Sequence, residues 1–226
     1  MAGCSGWGNF WQTQNETGAQ ASVPAIPTGL TFSTKTAASI SLTWGAVQAA
    51  TGYKIYRAST SGGALTLLGS PGSIGYADTG LTANTQYYYK VSALNAAGES
   101  LLSAEVAIAT YSIPSLVNIT PADGATGVGT TTNIVLTFSE AINPSTVDAT
   151  SGGPCAAQTV LVSSNNFVNC YGMTTSFSGG NTIATLVNAL WPGSTTIKVR
   201  ITTAVKRATG VPLGSQYTST TGFTTP

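Results

Sequence analysis

The feature that most constrains how this chain folds is a strict two-residue alternation of apolar and polar side chains, repeated in short runs. Ile40, Leu42 and Trp44 alternate with Ser41 and Thr43, Tyr53 and Ile55 with Lys54 and Tyr56, and Leu30 and Phe32 with Thr31 and Ser33. A strand turns successive side chains to opposite faces, so this period marks strands with one buried face. Over 87–94 it sets Tyr87, Tyr89, Val91 and Ala93 against the core and Tyr88, Lys90, Ser92 and Leu94 on the other face. Ile134, Leu136 and Phe138, then Ile197, Val199 and Ile201, repeat the pattern farther along. One ordinary sandwich takes about 100 residues, so a chain of 226 holds two in series. The fold class is all-β, with two tandem β-sandwiches behind a short N-terminal tail.

Charged residues make up 7% of the chain, against about 25% in an average soluble protein. Solvated faces must therefore be built from Thr, Ser, Asn, Gln and Gly, a palette that suits strands and turns better than long amphipathic helices. Divided at 22 and 112, each large piece carries as many basic side chains as the other, and the net charge is +1. Nucleic acid is thereby excluded as a partner expected from charge. No apolar run approaches the length of a membrane span. Met1-Ala2-Gly3-Cys4 resembles the end of a bacterial lipoprotein signal, whose cleavage leaves an acylated cysteine; an ordinary start with a free thiol is the other reading. Membrane contact is expected only through such an anchor at Cys4. Cys155 and Cys170 flank a strand-and-turn pattern and are read as a disulfide, which implies an oxidising, extracellular or periplasmic compartment. Two buried thiols are the alternative.

Residues 1–22 stand apart as a tail with one charge, Glu16, and three large aromatics, Trp7, Phe10 and Trp11. Such a segment has no core of its own, so the aromatics are expected to meet a partner surface or to belong to a spacer behind a lipid anchor. Pro24 and Pro27 mark the entry to the first domain, 23–112. Trp44 on the second strand, Tyr53 opening the third, Leu81 with Thr85 and Tyr87, and then Val91, Ala93, Asn95, Gly98 and Ser100 together resemble a fibronectin type III domain. The resemblance implies that Tyr87 buries its ring at the sheet-to-sheet corner while its hydroxyl bonds backbone. No RGD tripeptide occurs, so that adhesive loop is not carried over.

Pro114, in YSIPS, marks a short connection, expected to hold the domains in a narrow range of orientations. After it, Asp123-Gly124, TTTNIVLTFSEAINPSTV, LWPGSTTIKVRITTAVKRATGVPL and TGFTT resemble a bacterial Ig-like domain of surface proteins, covering 113–226. Residues 150–185 fit that pattern less well, because the cysteine pair replaces plainer strands.

The absence of histidine removes the usual general base and the commonest zinc ligand. Seven carboxylates remain, Glu16, Asp78, Glu99, Glu105, Asp123, Glu140 and Asp148, scattered over turns and strand ends. Asp78 before Thr79-Gly80 and Asp123 before Gly124 are expected in turns, bonding their own backbone. Glu140 and Asp148 share a loop region without calcium-loop spacing, and solvated loop charges are the expectation. The chain is therefore read as no enzyme, with no cofactor and no metal. Two features could touch a ligand. Lys198, Arg200, Lys206 and Arg207 cluster as an anion site or, more simply, as the charge that guards an edge strand. Trp191, before Pro192-Gly193, is placed to stack on a sugar or to cover its own core.

The sequence points first to a non-catalytic extracellular structural protein, a subunit of a bacterial surface assembly or filament, with self-association or other cell-surface proteins as partners. A monomeric adhesin or glycan-binding module, lipid-anchored at Cys4, is the alternative. An accessory module of a polysaccharide-degrading system, or a phage decoration protein, also fits these domains.

Overall fold

The computed structural model describes residues 22–150, 152–155, 158–187 and 190–226. The chain divides into two compact units. The first comprises the chain up to Lys35 with Ser39–Thr79 and Gln86–Ala109, and the second Thr110–Pro226 with the turns Thr36–Ala38 and Gly80–Thr85. The expected tail residues Cys4, Trp7, Phe10 and Trp11 lie outside the described residues.

In the N-terminal half the strands are β1 (Thr31–Lys35), β2 (Ser39–Thr43), β3 (Gly52–Ala58), β4 (Thr66–Gly69), β5 (Gly75–Thr79), β6 (Gln86–Asn95), β7 (Gly98–Glu99) and β8 (Val106–Ala109). They form two antiparallel sheets, one ordered β1-β2-β5 and one ordered β4-β3-β6-β7, with β8 also on β6. Ile40, Leu42 and Trp44 are buried from one sheet and Tyr53, Ile55, Tyr89, Val91 and Ala93 from the other. The Trp44 and Tyr53 rings meet edge to face at 5.5 Å. The Tyr53 hydroxyl accepts the Val47 N–H at 2.9 Å, so this ring is apolar in its body and satisfied at its tip.

The alternation misplaces burial at three positions. Phe32 is 41% exposed, because β1 slips its register on β2 between Phe32 and Thr34; the Lys35 ammonium lies 5.0 Å from its ring instead. Tyr87 is only half-buried, with the Arg57 guanidinium 5.2 Å over it, and Tyr89 takes the buried place. Ser92, assigned to the outer face, is fully buried because Glu99 folds over it.

The segments bordering these sheets follow another period. Pro24, Pro27 and Leu30 are buried with exposed residues between them, and so are Ser100 and Ser103. Burial every third residue is the repeat of a polyproline II conformation, which prolines favour. Along β6 the Ala93 and Val91 N–H groups donate to the hydroxyls of Ser100 and Ser103, which in turn donate to the carbonyls of Leu101 and Ala104. Side-chain hydroxyls therefore share the ladder with backbone groups, and Leu101 is turned outward at 76% exposure.

In the second unit β9 (Leu116–Thr120), β10 (Ile134–Phe138), β11 (Gly153–Pro154), β12 (Val160–Ser163), β13 (Asn169–Cys170), β14 (Thr174–Ser178), β15 (Ile183–Val187), β16 (Thr196–Ile201), β17 (Tyr217–Thr218) and β18 (Phe223–Thr224) follow in order. One antiparallel sheet runs β14-β15-β10-β9 and another β12-β16-β17, with β18 on the first residues of β16. Their inward residues, including Ile134, Leu136, Leu186, Val162, Ile197, Val199 and Ile201, form one core. The stretch 150–185 resolves into β11 to β15, with the β11 and β13 pair as a separate ribbon. The Cys155–Cys170 disulfide closes this ribbon, with the Cα atoms 5.1 Å apart across a sequence separation of 15. A closed loop of that length restricts the unfolded chain by about 3 kcal/mol. All four residues of β12 are buried, and the Arg200 guanidinium lies 4.1 Å over the Phe167 ring of the disulfide-closed loop.

Candidate functional site

Among the described residues the acidic side chains are each engaged within the fold. Asp78 is the most buried, at 5% exposure, and lies in β5 rather than in a turn. Arg57 of β3 donates to both its oxygens at 2.9 Å, and the Tyr89 hydroxyl donates at 2.8 Å. Burial, and then the Asp78 carboxylate beside it, push the Tyr89 hydroxyl well above the usual tyrosine range. On the outer face of the same sheet Glu99 accepts from the Lys54 ammonium at 2.6 Å, the Ser92 hydroxyl at 2.6 Å and the Tyr56 hydroxyl at 2.9 Å. Glu105 accepts from the Ser61 hydroxyl and the Gly62 N–H.

In the second unit Asp123 bonds a distant loop and not its own turn. It accepts the N–H groups of Thr220, Thr221 and Gly222 and the Thr220 hydroxyl. Burial alone would raise its pKa, and these four donors outweigh it and hold the carboxyl below its usual range. Glu140 pairs with Arg207 at 2.7 Å, and Asp148 accepts the N–H and hydroxyl of Thr150. Glu140 and Asp148 thus turn to separate partners. No group of three metal-ligating side chains forms among the described residues.

The basic cluster separates in the same way. Lys198 and Arg200 share the outer face of β16, but β16 is interior to its sheet, flanked by β12 and β17. Its charges therefore do not guard an edge, as the sequence suggested. Arg200 packs on Phe167. Arg207 donates to the Ser112 hydroxyl at 2.9 Å and lies 5.2 Å over the Tyr111 ring, so it ties down its own unit's first residues. Lys206 is exposed on the adjoining turn. Of the two roles open to Trp191, the structure shows the cover over its own core rather than a ring free to stack on a sugar. It is 1% exposed, its Nε1 donates to the Thr132 carbonyl at 2.8 Å, and Tyr171 and Phe223 pack against it edge to face.

What the first unit offers is a groove of about 340 Å³, walled by residues 26–30 on one side and by Ser103, Ala104 and Val106 on the other. Val23, Ile26, Leu101 and Leu102, close in sequence to its walls, are among the exposed large apolar side chains of this unit, as are Phe32, Leu67 and Ile74. Sequence periodicity missed the groove because the walls repeat in threes, where alternation in twos was sought.

Residues 110–225 match the bacterial Ig-like domain family, and 25–109 match the fibronectin type III domain. The chain belongs to the bacterial Ig-like domain family. Its fibronectin type III domain precedes that member domain directly. Among curated proteins this Ig-like chain is similar to the poly(3-hydroxybutyrate) depolymerase of Ralstonia pickettii, at 40% identity over 89 residues, 39% of this chain and 17% of the relative. It is similar to exoglucanase B of Cellulomonas fimi at 36% over 104 residues, 43% of this chain and 9% of the relative. The alpha-amylase of Niallia circulans matches at 37% over 95 residues, 41% and 7%. The chain thus covers less than a fifth of each of these relatives. Among solved structures it is similar to a Fn3-like protein from Clostridium thermocellum, at 37% identity and a TM-score of 0.37, over 41% of this chain and 98% of that one.

The engaged carboxylates carry a pH dependence that can be read from outside. Hydrogen bonds from Lys54 first, then from Ser92 and Tyr56, hold the Glu99 carboxyl at about 2, against an opposing effect of burial. A depressed folded-state pKa means stability that is present above the unfolded value near 4.5 and is lost as pH falls through about 2. The pair is substantially hydrated, so the effect is small, at most about 1 kcal/mol. Chemical denaturation of the first unit between those two pH values should show wild type losing stability and Glu99→Gln losing less. Equal losses would mean that Glu99 is not held in this network.

Proposed function

We propose that this chain is a non-catalytic accessory module of an extracellular system acting on insoluble polymers, so that the third reading drawn from the sequence displaces the filament subunit as the leading one. The supporting observation is that every described carboxylate, from Asp78 to Asp148, is bonded inside its own unit. Among the described residues no two carboxylates are left free to face each other across a cleft, the least that glycoside hydrolysis needs. The similarity to parts of a depolymerase, an exoglucanase and an amylase, each under a fifth of the relative's length, supports the same reading. The disulfide suits an oxidising compartment. An acylated Cys4 would place the module on a membrane surface in the same system.

The test is retention of the purified chain on cellulose, starch granules and poly(3-hydroxybutyrate) granules, with soluble products measured in the same tubes. Retention on at least one polymer without product supports the proposal. Product release overturns the non-catalytic part, and no retention on any of the three overturns the accessory-module reading.

The structural-subunit reading keeps one supporting observation, the low charge, which leaves little repulsion between copies. Regular filaments in electron micrographs of the full chain would favour it over the accessory module.

A further inference from the structure

We propose that the outer face of β16 binds carboxylate-bearing polysaccharides, with Arg200 and Lys198 as the contacts to their anionic groups. Two residues apart on one strand, the two side chains leave the same face from Cα atoms about 7 Å apart. Neither charge is matched. Asp123 is taken up by the loop at 220–222, Glu140 by Arg207 and Asp148 by Thr150, so among the described residues no carboxylate reaches Lys198 or Arg200.

Arg200 is held ready for an anion. Its guanidinium lies over the Phe167 ring at 4.1 Å, a contact that uses none of its N–H groups. Phe167 is itself fixed in the loop that the Cys155–Cys170 disulfide closes. Its N–H donates to the Ser163 hydroxyl at 3.0 Å, and the Asn165 side chain accepts the Asn169 N–H at 2.9 Å. The Arg200 Nε is buried with no hydrogen-bond partner among the described residues, while the side chain as a whole is half-buried, so its open end is the terminal Nη fork. A cation partly withdrawn from water and without a counter-charge gains most from an anion there, and a carboxylate matches the fork with two parallel hydrogen bonds. Because the arginine is already in place, little side-chain freedom is lost on binding. The surroundings favour a sugar acid over other polyanions. Opposite Arg200 on β17 stands Thr218, exposed, its hydroxyl accepting from the Gln216 amide at 3.1 Å, and Thr196 is exposed on the same face of β16 as Lys198. Hydroxyls and an amide bond the hydroxyls of a sugar ring. A nucleic acid or an anionic membrane asks instead for an extended set of cations, and Arg207 is held by Glu140 while Lys206 lies on a separate turn. The inference is independent of the accessory-module reading, since cellulose, starch and poly(3-hydroxybutyrate) are uncharged and engage neither cation.

The experiment is calorimetric titration of the full chain with polygalacturonate and with its neutral methyl ester at low salt. Wild type should bind the acid and not the ester, and added sodium chloride should weaken the binding. Lys198→Gln and Arg200→Gln should each lower the affinity by about tenfold, the loss of one charged contact. Lys206→Gln makes the same charge change on the neighbouring turn and should leave the affinity unmoved. Should Arg200→Gln lower the melting temperature by losing its contact with Phe167, Lys198→Gln decides. No binding of polygalacturonate, equal binding of the methyl ester, or an affinity that ignores both Lys198→Gln and Arg200→Gln would overturn the proposal. An equal loss in Lys206→Gln would overturn it in favour of net charge without a site. Tighter binding of phosphatidylglycerol vesicles or duplex DNA than of polygalacturonate would overturn the choice of a sugar acid.

Discussion

Trp191→Ala is expected to destabilise the second unit by about 3–5 kcal/mol, the usual cost of removing a large aromatic from a closed core. Trp191 is 1% exposed and stands between Tyr171 and Phe223, with ring centroids at 5.4 and 5.9 Å. Its loss opens a cavity between the Tyr171 and Phe223 rings, and it leaves the Thr132 carbonyl without the indole N–H that it accepts. For a domain of this size each kcal/mol moves the melting temperature by about 4 °C, so a fall on the order of 10–20 °C should be seen by calorimetry. Trp191→Phe keeps the packing and loses the hydrogen bond, and should cost a fraction of that. A ligand-stacking tryptophan would behave in the opposite way, losing binding while the melting temperature stayed put. A loss below about 1 kcal/mol would sink the assignment of Trp191 to the core.

The second large effect is expected at Asp78. Asp78→Ala removes the acceptor of two Arg57 hydrogen bonds and of the Tyr89 hydroxyl, leaving a guanidinium and a phenol unmatched. Breaking a buried pair by deleting one partner typically costs about 3–5 kcal/mol. The Arg57 side chain is 30% exposed and can recruit water, which places this case near the lower end. Replacing both residues by apolar ones of similar size, Arg57→Met with Asp78→Leu, should recover most of the loss, because no charge is then stranded. Urea denaturation of Arg57→Met, Asp78→Leu and their double variant forms a cycle that isolates the coupling. Additive losses would mean that the pair is solvated and that the buried carboxylate is held by Tyr89 alone.

These sites differ in how legible they were. Trp44, Tyr53, Ile55, Ile134, Leu136 and Ile197 were placed by alternation, because on a strand the neighbours in sequence decide which face a side chain shares. Asp78 was not. Its position before Thr79-Gly80 resembles a turn, and only the approach of β3 and β6 supplies the arginine and tyrosine that make it a buried acceptor. Trp191 lies just outside any strand, where no period says whether a ring faces in or out. The cysteine pair stood between, since spacing allowed a disulfide and the ribbon of β11 with β13 brought the two together.

The sequence by itself determined the architecture. Period-two patterning, turn residues and a length near twice that of one sandwich specify two β-sandwiches because these signals are local and repeat many times. The tertiary structure alone decided which strand is interior, which charges are matched and where an apolar groove opens. Those are matters of which distant segments meet: β16 is interior only because β12 and β17 flank it, and Arg207 is spoken for only because Glu140 and Ser112 fold against it. Pairing across such distances depends on register and packing between segments, and a local periodicity carries no record of either.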